Sequence, residues 1–290
     1  MTMPDIWGLA AIVAKLALYA GFLGATGLVM VRAAFPAPLS LLGRRSGQQA
    51  LCLAGLGLAA AVLGFMLRGA ALTGDASGMT DPEMLGLLWQ TQAGSALVYR
   101  ISGAALLIVG LCLPRPGQWA ALAGGGLALW SLTQIGHVPD LEQSGVRLLL
   151  MLHLVGAAFW IGILGPLHYL SQHPQHLKSA ALLGHRFGQA AAVIVPALIL
   201  AGLLMAWLLT GEPAAVFRTG YGQSLLIKLA LAGTLLGLAA ANKFRFVPAM
   251  QTGDARAGQH LARSIEAEAV IFLAILTVTA ALTSVLPLPH

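Results

Sequence analysis

The sequence predicts an all-α integral membrane protein, a bundle of eight transmembrane helices with both termini facing outward. Composition is the first reason: 58% of residues are hydrophobic and 9% charged, whereas about a quarter of a soluble domain is charged. The mean hydropathy of +0.83 agrees. Segmentation is the second, because the apolar residues fall into runs near the ~20 residues that cross about 30 Å of hydrocarbon. The third is where the charges lie, mostly in short connections between those runs.

Taken in order, the expected spans are Ile6–Val31, Ala50–Leu72, Ala93–Leu113, Gln118–Gly136, Leu148–Leu170, Gly188–Thr210, Gln223–Phe244 and Ser264–Leu286. Only Asp5 precedes the first, which lacks the basic flank and small-residue cleavage site of a signal peptide and is expected to stay in the mature protein. Leu85–Gln92 is either an interfacial stretch or an outward extension of the third span. Pro174, Pro213, Pro287 and Pro289 lie at span ends, where proline is tolerated. Pro166 and Pro196 fall inside spans and are expected to kink them. No repeat, linker or low-complexity segment divides the chain, so residues 1–290 form a single transmembrane domain.

Orientation follows from basic residues. Arg32, Arg44, Arg45, Arg115, Lys178, Arg186, Lys243, Arg245, Arg256 and Arg263 share one side with only Asp254, Glu266 and Glu268. That side is expected to be cytoplasmic. Lys15, Arg100 and Lys228 lie within spans toward the opposite side, either snorkelling to headgroups or forming a buried network or an anion-attracting funnel. The pI of 9.8 therefore reflects topology and not nucleic-acid binding. Two cysteines, Cys52 and Cys112, exclude a disulfide scaffold and a four-thiolate metal site.

Chemistry concentrates on two histidines. His153 sits inside the fifth span, where a titratable group is costly unless it has a partner or a task. At 100° per residue it shares a face with Gly156, Ala157 and Trp160, which turns it into the bundle. His137, in QIGHVPD, ends the fourth span, and a short connection makes the two helices antiparallel neighbours, so both imidazoles occupy one outer layer. Three readings stand for the pair: a shared metal site, a haem iron pair, or hydrogen-bonded structural histidines.

Methionine thioether is the usual extra ligand when the ion is Cu(I). Met205 and Met84 are the outer-layer candidates, with Met66 and Met79 nearby, each weighed against service as core filler. Met151 points about 200° away from His153. His168, His173, His176 and His185 cluster on the cytoplasmic side, as a transition-metal site or as a solvated loop.

The segments GHVPD, HLVGAAFWIGILGPL, YGQSLLIKLALAGTLLGLAAANKFR and RSIEAEAVIFLAILTVTAALTSVLP resemble the copper resistance protein D family of bacterial inner-membrane proteins. The likeness is strongest in residues 130–290 and weaker in TQAGSALVYRISG. It implies copper handling at the inner membrane: uptake from periplasm to cytoplasm, with periplasmic termini and a separate CopC-like copper-binding partner. Residue by residue, it makes His137 and His153 the first copper candidates and Trp160 and Gly162 their packing signature. Lys228, Asn242 and Glu268 are polar positions without an assigned role. Glu268, one turn into its span, is an exit ligand, a proton acceptor, or a carboxylate favoured by the helix macrodipole. Cys52 and Cys112 are either an exit-side thiolate pair or structural cysteines.

The expected cargo is a copper ion, Cu(I) favoured over Cu(II). Binding to neutral imidazole weakens as pH falls through about 6.5, the ordinary histidine value. No GxxxxGK[ST] segment is present, and no enzymatic activity is expected. A b-type membrane cytochrome, a copper donor or assembly factor, and a small-anion carrier using Lys15, Arg100 and Lys228 are the competing readings.

Overall fold

The structure is a computed structural model that describes residues 5–114, 116–136, 144–210 and 215–285. In chain order its helices are α1 Ile6–Ala34, α2 Gly43–Thr73, α3 Pro82–Trp89, α4 Gln92–Cys112, α5 Gly117–Ser131, α6 Ser144–Gln172, α7 Leu177–Thr210, α8 Ala215–Arg218, α9 Gly220–Ala241, α10 Val247–Gln251 and α11 Ala255–Val285. A single π-helical turn, Asn242–Phe246, joins α9 to α10. The end of the bundle where α1 begins is called upper below.

Helix starts follow their caps. The Asp5 carboxylate accepts the Gly8 N–H at 2.8 Å, Asp81 caps α3 with Pro82 behind it, and Thr91 and Thr219 cap α4 and α9. Each satisfies a backbone donor that the first helical turn leaves free. α2 ends on Gly74, whose φ of +74° suits a residue without Cβ.

α1 is the central post: it packs against α2, α5, α6 and α11. It approaches so closely because glycines meet backbone to backbone. A Cβ on Gly27 would lie 1.9 Å from the Ala158 carbonyl oxygen, and one on Gly21 2.6 Å from Gly57 Cα. α4 and α5 are zipped antiparallel in the same way, Gly103 against Ala128 and Gly110 against Ala121. Small residues that let backbones approach are the usual currency of helix association in lipid. On the other side of α1, α6 and α11 carry an aromatic core in which Phe159 stacks on Phe187 and Trp160 meets Phe272 edge-on at 5.6 Å. α7 packs on α6, and α9 on α11.

Among the described residues, seven helices are long and apolar enough to cross a membrane. The fourth expected span is the difference: α5 has 15 residues, about 22 Å at 1.5 Å per residue. Its Gly124-Gly125-Gly126 run favours helix poorly, and the chain leaves the helix at Leu132. Leu85–Gln92 falls mostly in α3, a separate short helix, and does not extend α4. Both internal prolines lie within continuous helices, Pro166 in α6 and Pro196 in α7.

Candidate functional site

His153 lies on α6 two and a half turns from its upper end. Its Nδ1 is 3.2 Å from the Leu198 carbonyl oxygen of α7. A carbonyl only accepts, so Nδ1 carries the proton and the neutral ring keeps its lone pair on Nε2. Leu198, Gly202 and Met205 repeat at helical spacing and present one face of α7 to the imidazole. Gly202 makes room for the ring: a Cβ there would touch His153 at 3.4 Å. His153, Met205, Lys228, Tyr221 and Gly136 line one cavity of about 340 Å³.

That cavity tests the expected ligand set. Met205 shares it with His153 and is buried, whereas Met84, half-buried on α3, does not line it. His137 lies outside the described residues, but its chain neighbour Gly136 lines the cavity. Lys228 is also there, an ammonium whose charge opposes a bare cation. Among the described residues no three His, Cys, Asp or Glu side chains converge; His153 and Met205 are an imidazole nitrogen and a thioether sulfur on the wall of one cavity.

Trp160 belongs elsewhere. Instead of packing beside His153 it lies two turns below, where its Nε1 donates to Glu268 Oε2 at 3.0 Å. Asn242 Nδ2 donates to the other carboxylate oxygen. Glu268 is 2% exposed and stands more than three turns beyond the start of α11. The helix-terminus account of this carboxylate therefore fails, since the macrodipole acts within the first turn. Trp160, Asn242, Glu268 and Pro196 line a lower cavity of about 270 Å³. Leu236 borders both cavities and separates them. Asn242 Oδ1 is buried without a partner. Sequence reasoning did not join Trp160, Asn242 and Glu268, although three polar-tipped residues deep in apolar runs were a signal.

Other candidates separate. Cys52 and Cys112 are both exposed on the bundle surface and line neither cavity, so a buried structural role is excluded. At the lower end His168 Nε2 pairs with Glu266 at 2.8 Å. His173 binds the Tyr169 carbonyl at 2.7 Å and stacks on that ring, and Arg45 covers the ring 4.3 Å from its centroid. These contacts give His168 and His173 structural partners. Lys15 does not snorkel: its Nζ donates to the Thr283 carbonyl at 2.7 Å and to Oγ1 at 3.1 Å.

Known proteins resemble the chain over most of its length. The model described as copper resistance protein D matches residues 181–282, and the copper resistance protein D-like N-terminal domain matches residues 3–145. Copper resistance protein D of Pseudomonas syringae pv. tomato is 29% identical over 211 residues, 68% of each chain. Inner membrane protein YebZ of Escherichia coli K12 is 29% identical over 73% of this chain and 76% of its own. Copper transport protein CutJ of Bacillus subtilis is 30% identical over 53% of this chain but 28% of its own. No solved structure is significantly similar. With its two halves matched by the two models of one family, the chain belongs to the copper resistance protein D family of multi-pass inner-membrane proteins.

Proposed function

We propose that the protein carries copper from the periplasm to the cytoplasm through the α6–α7–α9–α11 side of the bundle. The observation that carries this reading is the His153 imidazole, fixed through Nδ1 to the Leu198 carbonyl in a cavity that also holds Met205. An imidazole oriented by a backbone carbonyl is the common support of a metal-binding histidine. Imidazole with thioether suits Cu(I) over harder ions. His137, adjoining Gly136, is the proposed third ligand, and the upper end is periplasmic, as the basic residues of the lower loops favour.

Below Leu236, the Glu268 carboxylate and the unpartnered Asn242 oxygen are oxygen groups that meet the positive charge on its way to the lower end. Cation entry is favoured by the membrane potential at about 2.3 kcal/mol per charge per 100 mV, so the passage needs neither ATP nor catalysis. Lys228 opposes a bare ion, which favours ligand-exchange delivery from a CopC-like periplasmic protein over capture of free copper.

The test is anaerobic Cu(I) titration of the purified protein against a chelator. His153→Ala and His137→Ala are each expected to remove the same single tight equivalent, the double variant no more, and Met205→Leu to weaken it. Unchanged stoichiometry and affinity in all of them sinks the site. Copper flux into sealed vesicles separates a carrier from a protein that only binds and hands on copper, and an absorbance spectrum with a Soret band would replace copper with haem.

A further inference from the structure

Above the His153 cavity lies a second chamber of about 430 Å³, where α1, α2, α4 and α11 meet. The two chambers share Tyr19 and Thr283 on their walls. Three cations face the upper one: Lys15 of α1, Arg68 of α2 and Arg100 of α4. Lys15 is held in place by Thr283, which in turn lies 3.3 Å from the Tyr19 hydroxyl. Arg100 Nε is buried and has no hydrogen-bond partner.

No carboxylate answers these charges among the described residues. Asp5 lines the rim of the chamber, but its carboxylate is exposed and caps α1 through the Gly8 N–H. The ion pair found among the described residues joins His168 and Glu266 at the opposite end. Cations removed from water without a counter-charge are costly, and guanidinium groups present forked donors that match tetrahedral oxyanions. A bare cation such as Cu(I) is repelled here, so the chamber serves a different ligand from the one bound at His153.

We propose that this chamber binds a phosphate group, held by the guanidinium groups of Arg68 and Arg100 and the ammonium group of Lys15. Free phosphate and the phosphodiester of a lipid headgroup present the same chemistry.

The full chain in phosphatidylcholine nanodiscs is titrated with inorganic phosphate by calorimetry at constant ionic strength. If free phosphate is the ligand, wild type shows one saturable site that Arg100→Gln, Arg68→Gln or Lys15→Gln weakens about tenfold or more. If a headgroup is the ligand, phosphatidylglycerol nanodiscs yield protein that retains one such lipid in native mass spectrometry. Arg100→Gln then loses it. Thr283→Val, which removes the Oγ1 contact to Lys15 while leaving the backbone-carbonyl bond and every charge in place, weakens either ligand and stands in if a cation variant fails to fold. Absence of both saturable phosphate and retained lipid, as when a carboxylate of the chain itself fills the chamber, overturns the proposal. So does equal binding by wild type and all the variants.

Discussion

The α4–α5 side and the α7–α9 side of the bundle are both built from long apolar runs, yet they are packed differently. Where α4 meets α5, a Cβ on Gly110 or Gly124 would fall 2.4 or 2.3 Å from the facing backbone, and the interface is dry and tight. On the other side, only 11% of the apolar stretch of α7 and 6% of that of α9 are buried, against 39% for α6. Gly233 and Gly237 of α9 face open space, and the His153 and Glu268 cavities both lie between these helices and the α6–α11 pair. The tight side is a frame; the loose side is where the proposed ion path runs.

The largest expected effect breaks the frame and spares the loose side. Gly110→Ala drives a methyl against the Ala121 backbone nitrogen with backbone, not a flexible side chain, in the way, and overpacking of this kind costs about 1–3 kcal/mol or more. Gly237→Ala meets nothing and gains helix propensity of up to about 1 kcal/mol. Thermal unfolding in detergent is expected to show a clear loss for the first and an unchanged or raised midpoint for the second. Equal shifts would mean that the two sides are packed alike.

Next in size is Glu268. Glu268→Ala strands the buried Trp160 donor, which costs about 1–3 kcal/mol, and unpairs the half-buried Asn242 donor at a smaller cost. Glu268→Gln keeps an oxygen for one of them and is expected to fall between Ala and wild type. His153→Ala gives up one hydrogen bond, net about 0.5–1.5 kcal/mol, and is expected, on the proposed site, to abolish tight copper binding. The comparison sharpens if unfolding midpoints rank Glu268→Ala below His153→Ala and copper affinities rank them the other way. A further readout is pH: in the proposed site copper and a proton compete for the His153 Nε2 lone pair, so wild-type affinity is expected to fall on acidification. The residual binding of His153→Ala is expected to be flatter over the same range.

Much of this frame is readable from hydropathy, because a long uninterrupted apolar run has one outcome in lipid. Seven runs became helices of spanning length; the fourth ended as a helix of 15 residues, which a sliding apolar window does not register. The inward face of His153 was legible from its spacing with Gly156, yet its true partner, Leu198 O, was not. A backbone carbonyl carries no side-chain signature, and the contact spans 45 positions. Trp160 and Glu268 stand 108 positions apart, so no local period could pair them. The π-helical turn that aims Asn242 has no propensity signal. Lys15 and Arg100 were visible as misplaced charges and Arg68 was not, and only three separate helices converging made them one chamber.

The smallest expected effect concerns the cysteines. A thiolate pair suits Cu(I), and a path ending at Cys52 and Cys112 would place the exit on the α2–α4 face, the tight side. Both side chains are exposed on the bundle surface, and neither adjoins the two cavities. Replacing both with serine is therefore expected to leave stability within about 0.5 kcal/mol, the usual range for surface changes, and to leave copper stoichiometry unchanged. Loss of a copper equivalent in the Cys52→Ser, Cys112→Ser double variant would move the exit to the frame and dissolve the division of labour between the two sides. Retention of it confines the ion to the side where the helices are loosely held.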